Sequence, residues 1–243
     1  MRVNIAISGQ ETKDTAGLHG FMQKIYSHMT LALLITGVIA YLVPQSEILL
    51  NALYVTQDGK VIALEPLAWL IMMFPLGISL YLGHSLPVIQ PHAAELGLWL
   101  YAFFMGISLS VIFIIFSGQV IAGAFLTSAA AYAGLSLYGY LTRRDLSGMG
   151  AFMFMGLIGL IIASLMNMLL HSSGAQFAIS VVGVLIFAGL TAYDTQRLKS
   201  LYAQYSGNAE WIGKIAVLGA LSLYLDFINI FLSLVNLAGG KRK

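Results

Sequence analysis

The stretch Leu221–Leu234, LSLYLDFINIFLSL, sets a carboxylate, Asp226, in the middle of an apolar run. An ionisable group at mid-depth in a bilayer costs at least about 2.5 kcal/mol and is by default a functional candidate. Asp226 is one of a series: Gly219, Ser222, Asp226, Asn229, Ser233 and Asn236 recur at alternating steps of three and four residues, which lays all six on one helical face. A small, polar face avoids lipid, so this helix is expected at the centre of a bundle. Ser222, Asn229, Ser233 and Asn236 read either as helix glue, through interhelical hydrogen bonds worth about 0.6 kcal/mol each on average, or as a polar face supporting Asp226. Such bonds do not require a charge-capable group, so Asp226 needs another reason.

A second acid, Asp194 in GLTAYDTQRLK, closes the preceding apolar span. Beside Arg197 at a membrane border it reads equally well as a solvated, paired loop residue or as the partner of Asp226. Two carboxylates within a few ångströms cannot both ionise cheaply, so a pair would share a proton and titrate as a unit. Such a pair would sense protons. Ionised, it would be an oxygen-rich, doubly negative site attractive to a hard cation such as Ca²⁺. Depth is the obstacle: Asp226 lies eleven residues inside its span, roughly 16 Å at 1.5 Å per residue. Pairing therefore requires the preceding helix to continue inward beside a late-starting or tilted last helix.

The remaining polar residues carry less. Ser164, Asn167 and His171 share a face on the fifth span, where His171 reads as interfacial. His84 and His92 flank a proline-bearing turn, and no two histidines have the i, i+4 spacing of a helical metal site. No transition-metal site and no tightly bound cofactor is expected. Glu95 is expected to open the third helix, where a carboxylate suits the helix dipole.

These residues must be positioned by membrane helices. The chain has 243 residues, of which 59% are hydrophobic and only 9% charged, against roughly 25% charged in soluble domains. The formal net charge of +2 is too small to indicate nucleic acid. The absence of cysteine excludes disulfides and thiol chemistry. With about 20 apolar residues needed per crossing, seven spans are predicted: Ile25–Val43, Pro66–Leu86, Leu96–Phe116, Val120–Leu141, Met149–Leu170, Phe177–Tyr193 and Ile215–Leu237. A polar tail at residues 1–23 precedes this domain of residues 24–238, and a basic tail at 239–243 follows it. The two longer connections, Pro44–Glu65 and Asp194–Lys214, are polar, and there is no room for a separate soluble domain.

A cytoplasmic amino terminus puts Arg2, Lys13, Lys24, Arg143, Arg144, Arg197, Lys199 and Lys214 inside and only Lys60 of the early loops outside, as the positive-inside rule prefers. Lys241, Arg242 and Lys243 would then lie outside unless the last segment is re-entrant.

TAYDTQ at Thr191–Gln196 and LSLYLDFINIFL at Leu221–Leu232, with the seven-span layout, resemble the Bax inhibitor-1 family in its bacterial branch. The resemblance implies an all-α integral membrane fold with six helices around a central C-terminal helix. It implies a pH-sensitive calcium leak, governed here by Asp194 and Asp226, with Ca²⁺ bound only transiently as the permeant ion. It also implies a role in stress resistance at the bacterial inner membrane and, in some relatives, interaction with a membrane-bound quality-control protease. In some members a basic residue on an early helix latches the acidic pair; this chain has no Lys or Arg between Lys60 and Arg143, so any latch must be another group.

Other classes fit less well. Intramembrane aspartyl proteases use GxGD and PAL segments, but Leu223 and Leu225 occupy the positions before Asp226 and no PAL follows. There is no GxSG motif for serine proteolysis, so no catalysis is expected. A proton-coupled transporter would show repeats and broken helices, and no repeat is evident. A non-conducting regulator of a membrane protease is the principal alternative to a leak.

Overall fold

The computed structural model describes residues 2–57, 60–85 and 87–239, which leaves the basic tail Lys241–Lys243 outside the described residues. Its helices are α1 (Arg2–Leu42), α2 (Glu47–Leu53), α3 (Pro66–Ser85), α4 (Pro91–Ile115), α5 (Gly118–Leu141), α6 (Ser147–Leu170), α7 (Ser173–Tyr205) and α8 (Ala209–Ala238). Seven of them, all but α2, are long and apolar enough to cross a bilayer. The polar residues of the amino-terminal tail continue the backbone of α1.

Local chemistry sets the helix ends. Ser172 caps α7 by accepting from Ala175 N at 3.2 Å, and Asn208 caps α8 by accepting from Trp211 N at 3.1 Å. Both relieve amide donors that a helix start leaves unpaired. Pro91 opens α4, where its missing N–H costs nothing. At the far end of α8, Gly239 takes a left-handed φ of 63°, the usual glycine stop.

The polar connection Pro44–Glu65 is more ordered than its composition predicts. It holds α2 and an antiparallel hairpin of β1 (Tyr54–Gln57) and β2 (Lys60–Leu64), with Tyr54 opposite Leu64. Tyr54 is buried, and its hydroxyl lies 2.8 Å from Ser110 Oγ on α4.

Helix α8 is the most enclosed span, with 72% of its apolar window buried. It packs against α7, α1, α5 and α4, while α3 leans on α4 and α6 on α7. The expected ring of six around the last helix is thus an inner layer of four and an outer layer of two. Lipid tails are as apolar as leucine, so helix association here depends on close packing and internal hydrogen bonds. Gly139 of α5 lies so close to α7 that an added Cβ would run into Ala192 O. Helix α1 is tied to α4 by Lys24 and His28, each 3.3 Å from Glu95 Oε1, and by His28 stacked on Trp99. Glu95 does not open the helix, contrary to expectation: α4 starts at Pro91 with no acid in its first turn, and the carboxylate serves the cross-helix ion pair to Lys24 instead.

Candidate functional site

The depth obstacle disappears because α7 does not stop at Tyr193. It runs on to Tyr205, and α8 starts at Ala209, so the two form a long antiparallel hairpin. Asp194 sits eleven residues before the end of α7, and Ser222 sits thirteen after the start of α8. The two are therefore level. Ser222 Oγ donates a hydrogen bond to Asp194 Oδ2. Asp226, one helical turn further along α8, lies about 6 Å deeper.

Asp194 and Asp226 are the only buried acids among the described residues, at 8% and 4% exposure. Asp194 Oδ1 is 4.0 Å from Arg197 Nη1, one turn later on α7, with the guanidinium largely exposed. Among the described residues it is the only basic group within 4.0 Å of either acid, and such a long, exposed contact binds weakly. Asp226 Oδ2 has no hydrogen-bond partner among the described residues. A buried, unpaired polar atom is costly, and a group in that position needs a reason beyond packing.

Both acids line one groove of about 870 Å³ between α6, α7 and α8, open along its α6 side, where Phe154, Ile161, Leu165 and Met168 are exposed. Along α6 the lining runs from Ser147 to Met168, roughly 31 Å of helix and close to the thickness of a bilayer core. Arg197, Asp194, Ser222, Asp226 and Asn229 make one part polar; Leu160, Ile161, Leu165 and Met168 make the rest apolar. Asn229 donates its amide N–H to Leu225 O at 2.8 Å, which leaves its side-chain oxygen available to the groove.

The rest of the stripe divides. Ser233 packs against Gly183 of α7, where a Cβ would meet Ser233 Oγ at 2.8 Å. Asn236 is exposed. On α6, Asn167 accepts from Ser172 N and donates to Gln176, both at 3.1 Å, and so joins the α6–α7 corner. His171 caps α6 with a left-handed φ of 51°.

A hydroxyl chain was not legible from the sequence. Tyr26 of α1 lies 2.6 Å from Ser136 of α5, and Ser136 lies 3.1 Å from Thr195 of α7. Thr195 spends its only proton on Thr191 O. Ser136 must therefore donate to Thr195, and Tyr26 to Ser136. The chain braces three helices beside Asp194. Tyr132, one turn before Ser136, is buried and its hydroxyl has no partner among the described residues. The usable signals were Thr195 inside TAYDTQ and the i, i+4 spacing of Tyr132 and Ser136 in a small-residue run.

Seven apolar helices, α8 innermost, with two buried acids facing one groove, define a multi-pass α-helical membrane protein. The family described as "Inhibitor of apoptosis-promoting Bax1" matches residues 18–243, and the chain belongs to this Bax inhibitor-1 family. It is 37% identical to the inner membrane protein YbhL of Escherichia coli over 93% of this chain and 94% of that one. It is 42% identical to a protein of Rickettsia prowazekii, covering 93% and 92%, and 39% identical to one of Caulobacter vibrioides, covering 94% and 91%.

Proposed function

We propose that this chain is a pH-sensitive calcium leak in which Asp194 and Asp226 form a coupled proton-sensing pair, and that it contributes to ion homeostasis and stress resistance. The observation that carries this reading is that the only buried acids among the described residues line one groove that runs along α6 for a length close to that of a bilayer core. Low dielectric strengthens the interaction between two charges held this way, so protonating one changes the state of the other. Ser222, bonded to Asp194 and one turn from Asp226, connects them mechanically.

Ca²⁺ takes six to eight oxygen ligands. Two carboxylates, a serine hydroxyl and an asparagine carbonyl offer fewer, and water completes the shell. Such a site suits a passing ion. Ca²⁺ is cargo here; the reading involves no resident cofactor and no catalysis.

We place the protein in the bacterial inner membrane with its amino terminus in the cytoplasm. The name of its Escherichia coli relative supports the first point. The second rests on Arg143, Arg144, Arg197, Lys199 and Lys214, which flank the α5–α6 and α7–α8 turns on the side where α1 enters.

The test is Ca²⁺ flux into liposomes holding the purified protein, compared between wild type and Asp226→Asn. Wild-type flux should vary between acid and neutral pH, and the variant should not. A variant as pH-dependent as wild type would remove Asp226 from the sensor. Liposomes that pass no ion at any pH would favour the non-conducting regulator of a membrane protease.

A further inference from the structure

A second cavity, a groove of about 1530 Å³, lies between α1 and α5. It exceeds the roughly 300–1,000 Å³ of sites for drug-sized ligands. Helix α1 packs on α4, α7 and α8, and α5 on α7 and α8, so these two stand side by side without a shared seam. Leu31, Leu34 and Leu137 line the groove and are about half exposed, so it opens sideways into lipid rather than to water.

Its lining is graded. Thr15, His19, Gln23 and Tyr140 stand at one end, Leu137 lies one turn in from Tyr140, and Leu31 and Leu34 stand at the other end. Leu34 is nine residues beyond Ile25, where the apolar run of α1 begins. That is about 14 Å of helix, half of a ~30 Å hydrocarbon core. The groove thus covers a headgroup layer and one leaflet.

Among the described residues no lysine or arginine lines the groove itself, but three basic residues flank Tyr140 at its polar end. Lys199 Nζ donates to Tyr140 O and sits 4.8 Å above the Tyr140 ring. Arg143 and Arg144 follow in the exposed turn after α5. None of the described residues lining the groove is acidic. Basic pockets between membrane helices bind anionic lipid headgroups.

We propose that the α1–α5 groove binds one anionic phospholipid, its headgroup against Lys199 and the arginines of the α5–α6 turn and an acyl chain along Leu31, Leu34 and Leu137. The floor of the groove carries the Tyr26–Ser136–Thr195 chain, so the lipid bears on α7 beside Asp194.

Native mass spectrometry of the detergent-purified protein tests this with phosphatidylglycerol and phosphatidylcholine of identical acyl chains. Wild type should retain the anionic lipid about tenfold better, the effect of one or two basic residues near an anionic group. Lys199→Gln should weaken that preference and Lys199→Arg keep it. Ala133→Trp, which fills the groove from an exposed position on α5, should lose both lipids. Equal retention of the two lipids by wild type would overturn the proposal. So would undiminished phosphatidylglycerol on Ala133→Trp, or displacement of the lipid by inorganic phosphate alone.

Discussion

Ser222 Oγ donates to Asp194 Oδ2 and thereby fastens α8 to α7 one turn from Asp226. The serine occupies the place level with Asp194 that the second carboxylate would need for a direct bond. The two acids therefore communicate across a serine and through space rather than along one hydrogen bond.

Replacing that serine should expose how much the fastening contributes. Ser222→Ala is expected to lower stability by about 1 kcal/mol and by no more than about 1.7, the upper range for interhelical hydrogen bonds in membranes. It should also change the pH response without abolishing it, because both carboxylates remain. Unfolding in mixed detergent micelles reads the first effect and liposome flux the second; a variant unchanged in both would mean that the bond is incidental.

Close approach of α5 to α7 gives a sharper stability test. Gly139→Ala pushes a methyl group into the Ala192 backbone, and overpacking of this kind costs about 1–3 kcal/mol. Gly123→Ala, on the same helix with nothing within 4 Å of the added carbon, should be neutral or slightly stabilising. Thermal unfolding of the two variants side by side checks the contrast, and equal stability would contradict the packing described.

A surface pH effect is expected at the start of α6. Asp145 Oδ1 accepts from Ser147 N at 2.9 Å, and the bonds from Ser147 hold this carboxyl below its ordinary range. A lowered value in the folded state means that the contribution is present at neutral pH and lost as pH falls through that value. Hydrogen exchange at the Ser147 amide should therefore gain protection from Asp145 at neutral pH and lose it in acid. In Asp145→Ala the protection should be low at both, and equal protection in the two proteins at neutral pH would count against the bond.

The seven spans were legible because a run of about twenty apolar residues matches the thickness of a bilayer core and exceeds what a buried helix of a soluble domain requires. What hydropathy missed was helix outside the apolar window. The segment after Tyr193, DTQRLKSLYAQY, is charged enough to end a hydropathy run yet rich in helix formers, so α7 continues to Tyr205. That continuation is what places Asp194 well inside the hairpin and gives it a partner. The β1–β2 hairpin was missed for the opposite reason: its strands are short, although Asp58-Gly59 between them is a strong turn signal in sequence. Period alone put Ser222, Asp226 and Asn229 on one face. It could not say that Ser222 would reach Asp194, because the register between helices is fixed by contacts such as Gly139 on Ala192 and Gly183 on Ser233. The same holds for Tyr26, Ser136 and Thr195, which are 110 and 59 residues apart along the chain.

Coupling between Asp194 and Asp226 is the central claim, and a double-mutant cycle on Ca²⁺ flux tests it most directly. Asp194→Asn, Asp226→Asn and the double variant should be measured with wild type in liposomes between acid and neutral pH. Removing either charge relieves the same repulsion, so the double variant should behave much like each single one; independent sites would give additive effects. Non-additive loss of the pH response is the result this account predicts. Additive effects across the whole range would contradict it and leave Asp194 as a border residue held by Ser222 and Arg197.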